Sequence, residues 1–114
     1  MKNVSWIKEF PVAVTITDKN GTILEMNDKA CLTFEKDGGR ALVGRNILDC
    51  HPEPSRTQVE GMLKSGEGNC YTIEKKGVKK LIFQSPWYED GVYMGLAELA
   101  IEIPFEMPHF VRGG

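Results

Sequence analysis

The sequence predicts an α+β domain that runs as two strands, a group of helices and then three strands, and three observations carry that prediction. Val12, Val14 and Ile16 alternate with smaller or more polar residues and stop at Asp18-Lys19-Asn20-Gly21, a tight-turn signal. Val59, Met62 and Leu63 recur at the three- and four-residue spacing of one helical face. After Ser65-Gly66 the chain turns to strand-like runs punctuated at Lys76-Gly77 and Glu89-Asp90-Gly91.

In chain order, Asn20-Gly21 favours a reversal, so Thr22 to Met26 should return as a strand paired with the first. Asn27 can cap a helix that carries Ala30, Cys31 and Phe34 on one face and stops at Asp37-Gly38-Gly39. An irregular helical stretch follows to Asp49. The main helix is predicted from about Pro54 to Lys64, because proline suits a first helical turn and Ser65-Gly66 supplies a stop. Strands are then expected over Cys70 to Lys75, Lys79 to Trp87 and Val92 to Ile103.

A period of two assigns the strand faces. If Glu98 and Glu102 look outward, then Tyr93, Gly95, Ala97, Leu99 and Ile101 face the helices. With Lys80 and Gln84 outward, Leu81, Phe83, Ser85 and Trp87 join them on that inner face. Gly95, Ala97 and Ser85 among bulky neighbours could leave a hollow under the main helix, or simply let that helix pack closely.

With 114 residues the chain is one domain, long enough to bury about two-thirds of its unfolded surface. A formal net charge of -2 argues against non-specific attraction to nucleic-acid phosphates. The odd count of three cysteines, Cys31, Cys50 and Cys70, without a C-x-x-C pair, implies free thiols and a reducing compartment. The chain start has no apolar signal core, and no apolar run approaches the ~20 residues of a membrane span. The expectation is a cytoplasmic protein without a nucleic-acid or membrane partner.

The richest chemistry lies in Asp49-Cys50-His51-Pro52-Glu53-Pro54-Ser55, at the mouth of the main helix. His51 either hydrogen-bonds a backbone carbonyl or recognises a ligand from a cavity rim, its backbone restricted by the prolines that follow. Cys50 reads first as a small buried hydrophobe, because a reactive thiol needs a depressed pKa. Ser55 reads first as a helix-opening residue. As a metal site the group is poor, since His109 and Cys70 lie far off in sequence, and the adjacent Cys50 and His51 make a weak nucleophile-base pair. No catalytic role is expected. The candidate ligand-binding set is Cys50, His51, Ser55, Val59, Met62, Leu63, Phe83, Ser85 and Ala97.

The order of these pieces resembles the PAS family. The resemblance covers Phe10 to Ile103 and rests on Phe10-Pro11-Val12-Ala13-Val14, the Asp18-to-Leu24 hairpin, Asn27, Leu42-Val43-Gly44-Arg45-Asn46 and the glycine-led last strand. It implies a PAS-like five-stranded antiparallel sheet with helices packed on one face, acting as a sensor or a dimerising module. Gly44-Arg45-Asn46 is similar to the flavin-binding blue-light domains, whose photoreactive cysteine position is Ile47 here, so a covalent flavin photocycle is not expected. The main helix is similar to that of haem PAS domains, whose ligating histidine falls at Val59, so haem held from that helix is not expected either. The identity of any cofactor stays unknown. Asp49-Cys50-His51-Pro52 with Ser55 also resembles a bacterial subset of PAS domains that occur beside hemerythrin-like domains.

The division is a flanking helix over 1–10, a PAS-like domain over 11–103 and a tail over 104–114. Val4, Ile7 and Phe10 share helical spacing, and Phe105, Met107 and Phe110 make the tail apolar. Met94, Leu96 and Ala100 are expected on the outer sheet face, so these pieces either pack on that face or leave it as a dimer seam, and a homodimer is the expectation. The Glu74-to-Lys80 charges read as a solvated hairpin tip. The leading function is a small-molecule sensor that signals through an output protein; the alternative is a homodimerisation or docking module with a filled core.

Overall fold

The computed structural model describes residues 5–114. Five strands form one sheet in the order β2-β1-β5-β4-β3, with β1 Ala13–Thr17, β2 Ile23–Met26, β3 Asn69–Lys75, β4 Val78–Glu89 and β5 Val92–Ile103. Each neighbouring pair is antiparallel. Helix α1 spans Asp28–Thr33 and α2 spans Ser55–Ser65, with short 3-10 turns at Glu35–Asp37, Gly39–Leu42 and Ile47–Cys50 between them. The expected α+β architecture is therefore present, and no helix among the described residues is long and apolar enough to cross a membrane.

The β1–β2 reversal is wider than an Asn-Gly hairpin. Asp18 Oδ1 accepts from the backbone N–H of Asn20 at 2.9 Å and of Thr22 at 3.0 Å, an aspartate-centred turn that pairs Thr17 with Ile23. Asn27 then caps α1 as predicted, its Oδ1 accepting from Ala30 N at 3.0 Å and from Val14 N at 2.9 Å. The helix stops earlier than Asp37-Gly38-Gly39, because Arg40 folds the following turns back, donating to Met26 O at 3.2 Å and to Asp28 Oδ1 at 3.0 Å. Ala13, Ile23, Met26, Ala30 and Leu42 form one core cluster, flanked by Cys31, Phe34, Ile47 and Ala100.

Helix α2 packs through Val59 and Leu63 onto Leu96 of β5, a second core cluster. That contact reverses the expected facing of β4 and β5. Tyr93 does look toward α2, donating its hydroxyl to Leu63 O at 2.9 Å. A bulge follows, because Tyr88 pairs with Tyr93 while Trp87 pairs with Gly95, leaving one extra residue on β5. Beyond it the parity inverts, so Leu96, Glu98 and Ala100 face the helices, opposite Ile82 and Gln84 of β4. Leu81, Phe83, Ser85, Ala97, Leu99 and Ile101 lie on the far face with Val14 and Ile16. This bulge corrects the β5 expectations of an outward Glu98, an inward Ala97 and outer Leu96 and Ala100, and in β4 Gln84 faces the helices with its partner Glu98 while Phe83 and Ser85 face away with Leu99 and Ala97, contrary to the expected facing.

At the chain start, residues 6–9 make a turn in place of the expected helix, while Val4 lies outside the described residues. The carbonyls of Ile7 and Phe10 are taken by the Asn27 amide at 3.0 and 3.3 Å, which bends the segment onto β1. The tail after Ile103 has no regular structure, and Phe105, Met107 and Phe110 are exposed.

Candidate functional site

The inverted strand faces open a cavity of about 460 Å³ between the helical side and the sheet. Its sheet floor is Thr15 and Thr17 of β1, Ile23 and Met26 of β2, Tyr71 and Ile73 of β3, Ile82 and Gln84 of β4, and Leu96 and Glu98 of β5. Its other walls come from Phe34, Asp37, Leu42, Arg45, Ile47, Cys50 and His51, and from Val59 and Met62 of α2. A second hollow of about 450 Å³ shares His51, Val59, Met62, Tyr71 and Gln84 with the first and adds Ser55, Gln58 and Asn69, between α2 and β3.

The Ile47–Cys50 turn is placed by Asn46. Its Oδ1 accepts from Leu48 N at 2.9 Å while its Nδ2 donates to Asn20 O at 2.8 Å, fastening the turn to the β1–β2 reversal. Arg56 of α2 donates to Leu48 O at 2.6 Å, which locks the start of the main helix to the same turn. Thr57 N donates to Glu53 Oε1 at 2.8 Å, so Glu53 satisfies the first turn of α2 and Ser55 makes no capping bond there.

His51 makes the backbone contact expected of it and also lines the cavity. Its Nδ1 lies 2.7 Å from Ile47 O. A carbonyl oxygen can only accept, so Nδ1 carries the proton and Nε2 is an acceptor in the neutral ring. The ring is thereby fixed while it lines both hollows. Cys50 is exposed, contrary to the buried reading, because it ends the Ile47–Cys50 turn with Sγ 3.9 Å from Asn46 O, a backbone oxygen of the same turn, and not in the core.

On the floor, Gln84 and Glu98 are direct cross-strand partners, and Gln84 Nε2 donates to Glu98 Oε2 at 2.9 Å. Gln84 Oε1 is buried and has no hydrogen-bond donor within reach among the described residues. Burial, and then the Glu98 charge, push the Tyr71 hydroxyl above its ordinary pKa, so it stays protonated.

Of the residues singled out in the sequence, the structure brings Cys50, His51, Val59 and Met62 to the cavity and Ser55 to the adjoining hollow. Leu63 sits in the core against Leu96 without lining the space. Phe83, Ser85 and Ala97 are on the opposite sheet face, because each sits one position along its strand from a residue that lines the cavity. Sequence reasoning missed Tyr71, Gln84, Glu98, Arg45 and the β1 threonines. The readable signal was a polar residue in the middle of each long strand, Gln84 in β4 and Glu98 in β5, which marks either solvent or a polar cavity.

A family model described as the PAS fold matches residues 4–76. No curated protein sequence matches the chain. Solved structures with the same fold include the C-terminal domain of a Streptococcus mutans protein, 20% identical with TM-score 0.67, covering 84% of this chain and 78% of that one. The PAS domain of BvgS from Bordetella pertussis is 18% identical with TM-score 0.61, covering 86% and 81%. The Aer2 receptor of Vibrio cholerae, described as a dual PAS-heme oxygen sensor, is 18% identical with TM-score 0.60, covering 82% and 95%. With the family model spanning most of the chain and the five-stranded sheet in place, this protein belongs to the PAS family.

Proposed function

We propose that this chain is a sensory PAS module that binds a small molecule between α2 and the sheet and passes its occupancy to an output protein. The observation that carries the reading is the cavity itself. At about 460 Å³ it falls in the size range of small-molecule sites, mainly apolar with a few convergent polar groups, as such sites are. Relatives of the same fold include a sensor histidine kinase from Vibrio cholerae, which supports a signalling context. The α2 sequence, Ser55–Ser65, holds no histidine or cysteine, so this helix offers a bound molecule no imidazole or thiolate.

Filling the cavity tests the reading. Val59 is buried on α2 and lines both hollows, so Val59→Trp should abolish retention or uptake of a small molecule, read by native mass spectrometry, while overpacking costs about 1–3 kcal/mol. Ala97→Leu, on the far face, should leave uptake unchanged. Equal ligand retention in Val59→Trp would place the site elsewhere.

A homodimer is the second reading, favoured by the far sheet face. There Phe83 is 43% exposed and Leu81, Leu99 and Ile101 are only partly covered, an apolar surface of the kind monomers seldom leave open. Sedimentation should show a dimer that Phe83→Asp converts to monomer, and a wild-type monomer at high concentration would remove this reading.

A further inference from the structure

We propose that Gln84 and Glu98 form a pair of hydrogen-bond acceptors on the cavity floor, and that this pair selects a ligand with an apolar body and a cationic nitrogen head donating at least two hydrogen bonds, such as an amidinium. The inference rests on the reading of the cavity as the ligand site. Gln84 spends its amide donor on Glu98, since a carboxylate can only accept and lies 2.9 Å away. That fixes the amide orientation and leaves Oε1, buried and without a donor, on a side chain that lines both hollows. An acceptor stranded in this way is costly until a donor reaches it. Its neighbour Glu98 uses Oε2 toward Gln84, and Oε1 has no protein donor among the described residues.

The two free oxygens belong to side chains at paired positions on adjacent strands, whose Cβ atoms stand roughly 5 Å apart. A planar head with two N–H groups spans that separation and carries the charge that the carboxylate favours. The remaining titratable groups do not reverse the preference. Asp37 and Arg45 both line the cavity wall and carry opposite charges, His51 commits its Nδ1 to Ile47 O, and Tyr71 stays uncharged. A carboxylate or phosphate head on the floor would meet Glu98 with like charge and leave Gln84 Oε1 unsatisfied.

The test uses the whole chain and four probes of one size: 2-naphthamidine, 2-naphthamide, 2-naphthoate and naphthalene, followed by calorimetry. Naphthamidine should bind tightest, about ten- to a hundredfold above naphthoate, the ratio of one or two charge-assisted hydrogen bonds. Glu98→Gln, which keeps shape, should erase the preference for the amidine over the amide, and Gln84→Leu should weaken both, with folding checked by circular dichroism. If either variant fails to fold, the ranking of probes on the unaltered protein decides. Naphthoate binding as tightly as naphthamidine, or an amidine preference surviving in Glu98→Gln, overturns the acceptor pair. Equal binding of all four probes overturns it while leaving the cavity as the ligand site, whereas no binding even of naphthalene overturns both.

Discussion

Replacing Asn27 with alanine is expected to lower the free energy of unfolding by about 3–5 kcal/mol, a loss in the exceptional range for one polar side chain. The residue is only 2% exposed and makes five hydrogen bonds to backbone. Its Oδ1 accepts from Val14 N and Ala30 N, while its Nδ2 donates to Ile7 O, Phe10 O and Val12 O at 3.0, 3.3 and 2.7 Å. One side chain thus joins the entering segment, β1 and the first turn of α1. Cap loss alone costs about 0.5–2 kcal/mol, and the buried carbonyls add the penalty of unmet acceptors. Asn27→Asp keeps the two accepting contacts but sets a carboxylate against three carbonyls, so it should also destabilise. Urea unfolding measures both. A loss below about 1 kcal/mol for the alanine variant would show that water replaces the amide at little cost.

Gly95→Ala should be comparably severe, at about 3 kcal/mol or more, or should prevent folding. Gly95 has φ +151°, a backbone conformation that side chains rarely adopt. A Cβ there would collide with the Thr17 carbonyl oxygen and lie 2.7 and 2.8 Å from Asp18 C and Cα, none of them able to swing away as a flexible side chain could. The same carbonyl accepts from Trp87 Nε1 at 2.8 Å, so moving β1 to relieve the collision breaks that bond as well. The strain falls beside the cavity, since Thr17 and Leu96 both line it and exchange hydrogen bonds through Thr17 Oγ1 at 3.3 and 3.4 Å. Thermal unfolding of Gly95→Ala near the wild-type midpoint would show that the close approach relaxes without cost.

Much of this fold was legible because local rules wrote it. Lys76-Gly77 and Asp90-Gly91 ended strands where the turns stand, Asn27 capped α1, and Gly66 closed α2, each a residue whose backbone chemistry acts over a few positions. The main helix showed its buried face through Val59 and Leu63, because a 3.6-residue period survives without knowledge of what it packs against. The site was half legible: His51, Cys50, Val59 and Met62 are on the cavity wall, but its sheet floor was assigned the wrong way round.

The reason is specific to β4 and β5. Both parities of these strands carry apolar residues, Ile82 against Leu81 and Phe83, and Leu96 against Ala97 and Leu99, so alternation leaves the inward face undecided. Glu98 and Gln84 then looked like the solvent side, although paired with each other they form the polar part of the cavity. Element order, turns, caps and the helix face were determined by the sequence itself, since those depend on neighbours a few residues away. Only the tertiary structure decided which sheet face the helices cover, because one bulge between Tyr93 and Gly95 inverts every later side chain and α2 settles on Leu96.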